Sequence, residues 1–112
     1  MKEIDDLISG VYSAAIAEIS VLVREVRVLI GVLATPVIIR IFYDGRNVEP
    51  YRFELSAAMK TSPDADARRS TGRAMTEADA LRQGIRLLTQ DYDDAVRQGK
   101  MPDDRWLVTV PA

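Results

Sequence analysis

Apolar side chains recur every three or four residues over the first third of the chain, at Ile4, Ile8, Val11, Ala15, Ile19, Leu22, Val26, Leu29 and Leu33. At 100° per residue they fall within an arc of about 80°. Asp6, Ser9, Ser13, Ser20, Arg24, Arg27 and Gly31 gather on the opposite side. The pattern predicts an amphipathic helix, clearest over residues 3–22. Residues 23–33 also suit a strand, because Val26, Val28, Ile30 and Val32 alternate and β-branched residues are dense there. Persistence of the stripe to Leu33 favours continued helix, with Pro36 ending the segment under either reading. A continuous helix would be a rod of roughly 45–50 Å, long against the ~13 Å radius of gyration of a domain this size. Its excess apolar surface calls for a cover. A second copy in a two-fold dimer or a larger protein would supply one through residues 4–33; the plainer alternative is a helix wrapped on its own sheet.

Beyond Pro36 the periodicity changes. Val37-Ile38-Ile39-Arg40-Ile41-Phe42-Tyr43 predicts a central strand, apolar on both faces. Asp44-Gly45 offers a turn and Pro50 closes the connection. Residues 51–57 then alternate, with Tyr51, Phe53, Leu55 and Ala57 inward, so the two strands form an antiparallel hairpin with Arg40 near Glu54. From Lys60 to Ala74 periodicity is lost, which predicts a flexible loop at 60–74. Thr76-Glu77-Ala78-Asp79 resembles a capping box with Asp in the third place. The helix it opens sets Ala78, Leu81, Ile85, Leu88, Tyr92 and Val96 on one face and Asp93 four residues before Arg97, and stops at Gly99. Arg105–Val110 predicts a short last strand with Trp106, Val108 and Val110 inward.

The expected fold class is therefore α+β: a two-layer sandwich with a long N-terminal helix, then a small antiparallel sheet made of the β-hairpin, a second helix and a C-terminal strand. Residues 1–34 form the association helix of a single domain, and residues 35–112 its small α+β body. The order resembles small double-stranded-RNA-binding-like domains and antitoxin-like sheets in arrangement only. The Lys-rich helix start of the former is missing at residues 71–79, so no family follows.

Composition narrows the chemistry. The chain has 112 residues, a formal charge of −2, and neither histidine nor cysteine. Disulfides, thiolate metal sites and every Ser-His or Cys-His arrangement are thereby excluded. No basic excess marks a dedicated nucleic-acid binder. The acidic start lacks the basic opening of a signal peptide. The longest uncharged run, twelve residues between Arg27 and Arg40, is too short to span a bilayer. No membrane partner and a cytoplasmic location are the default expectations.

Four groups of residues are candidates for chemistry. Lys60, Arg68, Arg69 and Arg73 precede a helix start, where guanidinium groups and free N–H groups suit a phosphate or an RNA backbone, with Arg46 and Arg52 as additions. Asp64 and Asp66 offset that charge, and a solvated loop is the simpler explanation. Asp91, Asp93, Asp94, Asp103 and Asp104 form an acidic cluster, but carboxylates along a helix mostly point outward, so no metal is expected. Glu18 and Glu25 border the stripe, where charges select a partner. Tyr43, Tyr51 and Trp106 read as core aromatics before a ligand pocket. No acid pair is placed by a motif, so no catalytic residue and no cofactor are expected.

The leading expectation is a non-enzymatic protein–protein association module, homodimeric through the N-terminal helix, with Ile8, Val11, Ala15, Ile19, Leu22, Val26, Leu29 and Leu33 at the interface. An anion- or nucleic-acid-binding regulatory domain using Arg68, Arg69 and Arg73 ranks second, and a small carboxylate-based enzyme third.

Overall fold

The computed structural model describes residues 19–62 and 69–110. Their order is β1 (Val21–Val28), β2 (Val37–Tyr43), β3 (Tyr51–Leu55), β4 (Ala57–Met59), β5 (Thr71–Ala74), α1 (Glu77–Arg97), a 3₁₀ turn (Asp104–Trp106) and β6 (Leu107–Thr109). Strands β1-β2-β3-β5 form one sheet in that order, and β4 and β6 a separate pair. Every pairing is antiparallel. The fold is α+β, with the described helix following the strands of the main sheet.

The expected architecture is overturned at its first element. Residues 21–28 are strand, so no helix runs on to Leu33; the part of the predicted helix before Ile19 lies outside the described residues. The decisive feature is β2. It pairs with β1 along its whole length, from Val21↔Tyr43 to Val28↔Val37. That ladder satisfies main-chain groups that the β-branched run Val21, Val23, Val26 and Val28 would hold in a helix only at a cost in side-chain freedom. A bulge between Leu22 and Arg24 shifts the register by one residue and interrupts the alternation that would have signalled the strand.

The β1–β2 connection closes through Gly31, whose φ of +52° favours glycine. Ile30 and Leu33 are buried in the core there, and the Val32 amide donates to the Tyr92 hydroxyl at 3.3 Å. A Cβ on Gly31 would lie 2.0 Å from that hydroxyl oxygen. The Ala34 amide donates to Asp104 at 2.8 Å, which ties the same connection to the chain's last turn.

β2 and β3 pair in the expected register, Arg40 opposite Glu54. The second strand then bends at Ser56. Its hydroxyl accepts from the Ile38 amide at 2.8 Å, and its carbonyl accepts from the Val110 amide at 3.1 Å. That bend directs β4 into the second sheet, so the C-terminal strand pairs with β4 and not with the hairpin. The last strand is also shorter than expected. Residues 104–106 are a 3₁₀ turn with Trp106 buried, while Val108 is exposed.

The expected loop at 60–74 is partly strand, since Thr71–Ala74 pairs with β3 as the far edge of the sheet. Residues 63–68 of that loop lie outside the described residues. Gly72 stands opposite Phe53, and its missing side chain leaves room for the ring, which would lie 2.5 Å from a Cβ. Helix α1 starts as the sequence predicts, with the Thr76 hydroxyl accepting from the Asp79 amide at 3.1 Å. Its buried side matches the expected face in part, at Leu81, Leu88 and Tyr92. Ala80, Gly84, Leu88 and Ala95 are inward, whereas Ala78, Ile85 and Val96 are exposed. Small residues bring the helix close to the sheet, where Phe53, Ile39, Ile41, Met59, Leu88 and Val37 are the largest fully buried side chains. Each such side chain contributes roughly 1.5–3 kcal/mol by leaving water.

Candidate association surface

Helix α1 packs on β2, β3, β4 and β5, which leaves β1 at the margin of the covered face. Val21, Val23, Val26 and Val28 are accordingly only half-buried. The register sorts the rest of β1 by face. Glu25 stands opposite Arg40 and Arg27 opposite Ile38, on the face away from the helix. Arg24 stands opposite the buried Ile41, on the helix side, and its Nε donates to Glu77 Oε1 at 2.5 Å in the first turn of α1.

The outer face carries a network of charge. Arg40 Nε donates to Glu25 at 2.8 Å, and Arg52 pairs with Glu54 while its guanidinium lies 4.7 Å from the centre of the Phe42 ring. The Arg40–Glu25 pair is exposed, so it contributes no more than about 1 kcal/mol, whereas the Arg52–Glu54 pair is part-buried. Their value lies in fixing which way charged groups point along the sheet.

Of the predicted interface residues, only Ile19, Leu22, Val26, Leu29 and Leu33 are described, and these five differ in burial. Ile8, Val11 and Ala15 lie outside the described residues. Ile19 and Val26 are half-buried, Leu22 is 47% exposed, Leu29 is 60% exposed, and Leu33 is buried at 5%. A strand sends neighbours to opposite faces, so a helical stripe cannot survive from Leu22 onward. The positions that remain exposed are Leu22 and Leu29, one at each end of β1.

The arginine group is partly assembled. Arg68 lies outside the described residues, and Arg69 is exposed just before β5. Arg73 stands directly opposite Arg52 across β3 and β5, and donates to the Glu49 carbonyl at 3.4 Å. The acidic cluster is dispersed into structural contacts. Asp94 pairs with Arg97 in place of the expected Asp93, Asp103 pairs with Arg105 at 2.7 Å, and Asp104 accepts from Ala34. The Arg105 guanidinium, and then its main-chain N–H, hold the Asp103 carboxyl down at about 2. Among the described residues no three acidic side chains converge as a metal site. Tyr43 and Tyr51 pack with ring centres 5.2 Å apart, and Trp106 meets Tyr92 edge to face at 5.8 Å. These aromatics are spent on packing.

Two open clefts flank the smaller sheet. The larger, about 530 Å³, is lined by Lys60, Asp103, Arg105 and Trp106. The second, about 370 Å³, lies on the outer face by Arg40, Glu54 and Thr71. Among the described residues, neither cleft brings carboxylates together without a basic partner. Sequence reasoning weighs a strand over residues 23–33 on the alternation of Val26, Val28, Ile30 and Val32 but favours helix. It therefore misses that β1 ends at Val28 as an edge strand whose outer side no described strand pairs.

The class these features define is a small α+β domain whose charge-patterned edge strand has, among the described residues, no partner on its outer side. No described helix is long and apolar enough to cross a membrane. Comparison with protein-family models, with curated proteins and with solved structures finds no match.

Proposed function

We propose that this protein is a non-enzymatic association module that assembles with itself through its sheet. The observation that carries the reading is β1: an eight-residue strand, the longest of the described strands, at the edge of the main sheet and outside the main packing of the helix. Long edge strands present rows of main-chain donors and acceptors that pair readily with another chain. The exposed Leu22 and Leu29 at its ends add apolar area that gains from being covered. A cytoplasmic setting accompanies this reading. Analytical ultracentrifugation of the full chain over a concentration series tests it. A concentration-dependent rise in mass is expected, and a monomer throughout would refute it.

A second reading is favoured by one observation. Arg52 and Arg73 are cross-strand neighbours, with Arg69 a few residues away, and this gathers part of the predicted anion-binding group on one side of the sheet. A phosphate-rich ligand such as single-stranded RNA would suit them. Under that reading the affinity for a short labelled RNA falls with added salt, and falls further when Arg69 and Arg73 are changed to alanine. RNA affinity unchanged by both substitutions would dispose of it.

A further inference from the structure

We infer that two copies of the chain pair edge to edge along β1, antiparallel, about a two-fold axis at Val26. This rests on the association reading and names its partner and register. No described strand pairs with the outer edge of β1, whose inner edge bonds to β2. The bulge between Leu22 and Arg24 confines the regular part of the strand to residues 24–28, and Val26 is its midpoint. A two-fold axis makes the same patch serve both partners, so the strand must be complementary to its own reversed copy.

About Val26 it is. Glu25 then stands opposite Arg27 of the second copy, and Arg27 opposite its Glu25, all on the outer face where the register with Arg40 and Ile38 already places them. Val26 meets its own counterpart on the helix side, and Arg24 meets Val28. Beyond that stretch the bulge absorbs one residue, as it does against β2, so Leu22 comes opposite Leu29 of the second copy. Those leucines are 47% and 60% exposed in the single chain, and each would cover the other at both ends of the ladder. The register is discriminating as well as permissive. The two adjacent registers that keep the faces matched set Glu25 against Glu25 or Arg27 against Arg27, and like charges directly opposite each other are destabilising. Paired at Val26, the two four-stranded sheets become one continuous sheet with both helices on the same side.

Charges on an edge strand can also serve to keep other chains away, and a charge exchange separates the two roles. The full-length variants R27E and E25R are examined singly and mixed, by sedimentation, with helical circular dichroism as the check on folding. Each single variant opposes like charges twice across the axis, so the dimer dissociation constant should rise about tenfold or more. Mixing them should restore the dimer as a heterodimer, since one then presents two acids and the other two arginines to each other. E25R also removes the partner of Arg40. L29S therefore serves as a second probe, because it lies outside the β1 ladder, and it should weaken the parent dimer likewise. A dimer indifferent to R27E, E25R and L29S would overturn pairing through β1 while leaving self-association standing. A monomeric parent chain would overturn both.

Discussion

At the scale of single residues, Gly31 shows how one position can hold a connection closed. Its positive φ and the Tyr92 hydroxyl beside it leave no room for a side chain. Gly31→Ala should therefore destabilise the fold by about 1–3 kcal/mol, through backbone strain and displacement of Tyr92 together. Urea unfolding followed by tryptophan fluorescence measures this, since Trp106 packs on Tyr92. Tyr92→Phe, which removes only the hydroxyl accepting from Val32, should cost less. Asp103 supplies a prediction of pH dependence. Its carboxyl is held at about 2 in the folded chain, below the ~3.9 of an unfolded aspartate. A lowered folded value means that the stabilisation is complete above about pH 4 and is lost as the pH falls through about 2. The difference in melting temperature between the parent and Asp103→Asn should be constant above that window and shrink across it. Neither residue's role was legible in the sequence: Gly31 read as a polar-side position of a helix, and Asp103 as one acid among five.

Elements were legible in proportion to how local their causes are. The start of α1 follows from Thr76 and the residues just after it, and the structure places it there. Thr76→Ala should cost about 1 kcal/mol by leaving the Asp79 amide without its acceptor, read from the urea midpoint. The β2–β3 register was legible for the same reason, since the turn chemistry at Asp44 fixes it; that side chain accepts from the Arg46 amide at 3.0 Å and from Asn47 at 2.7 Å. β1 was not, because its identity is decided by a partner strand and not by its own residues. A stripe at helical spacing and an alternation of β-branched residues coexisted over residues 23–33, and only β2 settles which one the backbone obeys. β5 was obscured likewise, being held by a short pairing to β3, while β6 was expected as a strand but its partner β4 was not. The buried face of α1 was legible only in part because its contact with the sheet runs also through Ala80, Gly84 and Ala95, whose small side chains carry little hydropathic signal.

At the scale of the molecule, the helix covers the interior of the sheet, and among the described residues no strand pairs with the outer edge of β1. Among the described strands, the eight-residue β1 is the longest and stands at the margin of the main sheet, where its outer main-chain groups are available to another chain. The charges along that edge are ordered so that the strand complements itself in one register and opposes itself in the neighbouring ones. Self-association is the central claim, and the most direct test is the mass of the full chain in solution by light scattering, measured from low to high micromolar concentration. The account predicts a mass that approaches twice the 12.5 kDa of the single chain as concentration rises. A mass that stays at the single-chain value over the whole range would contradict it.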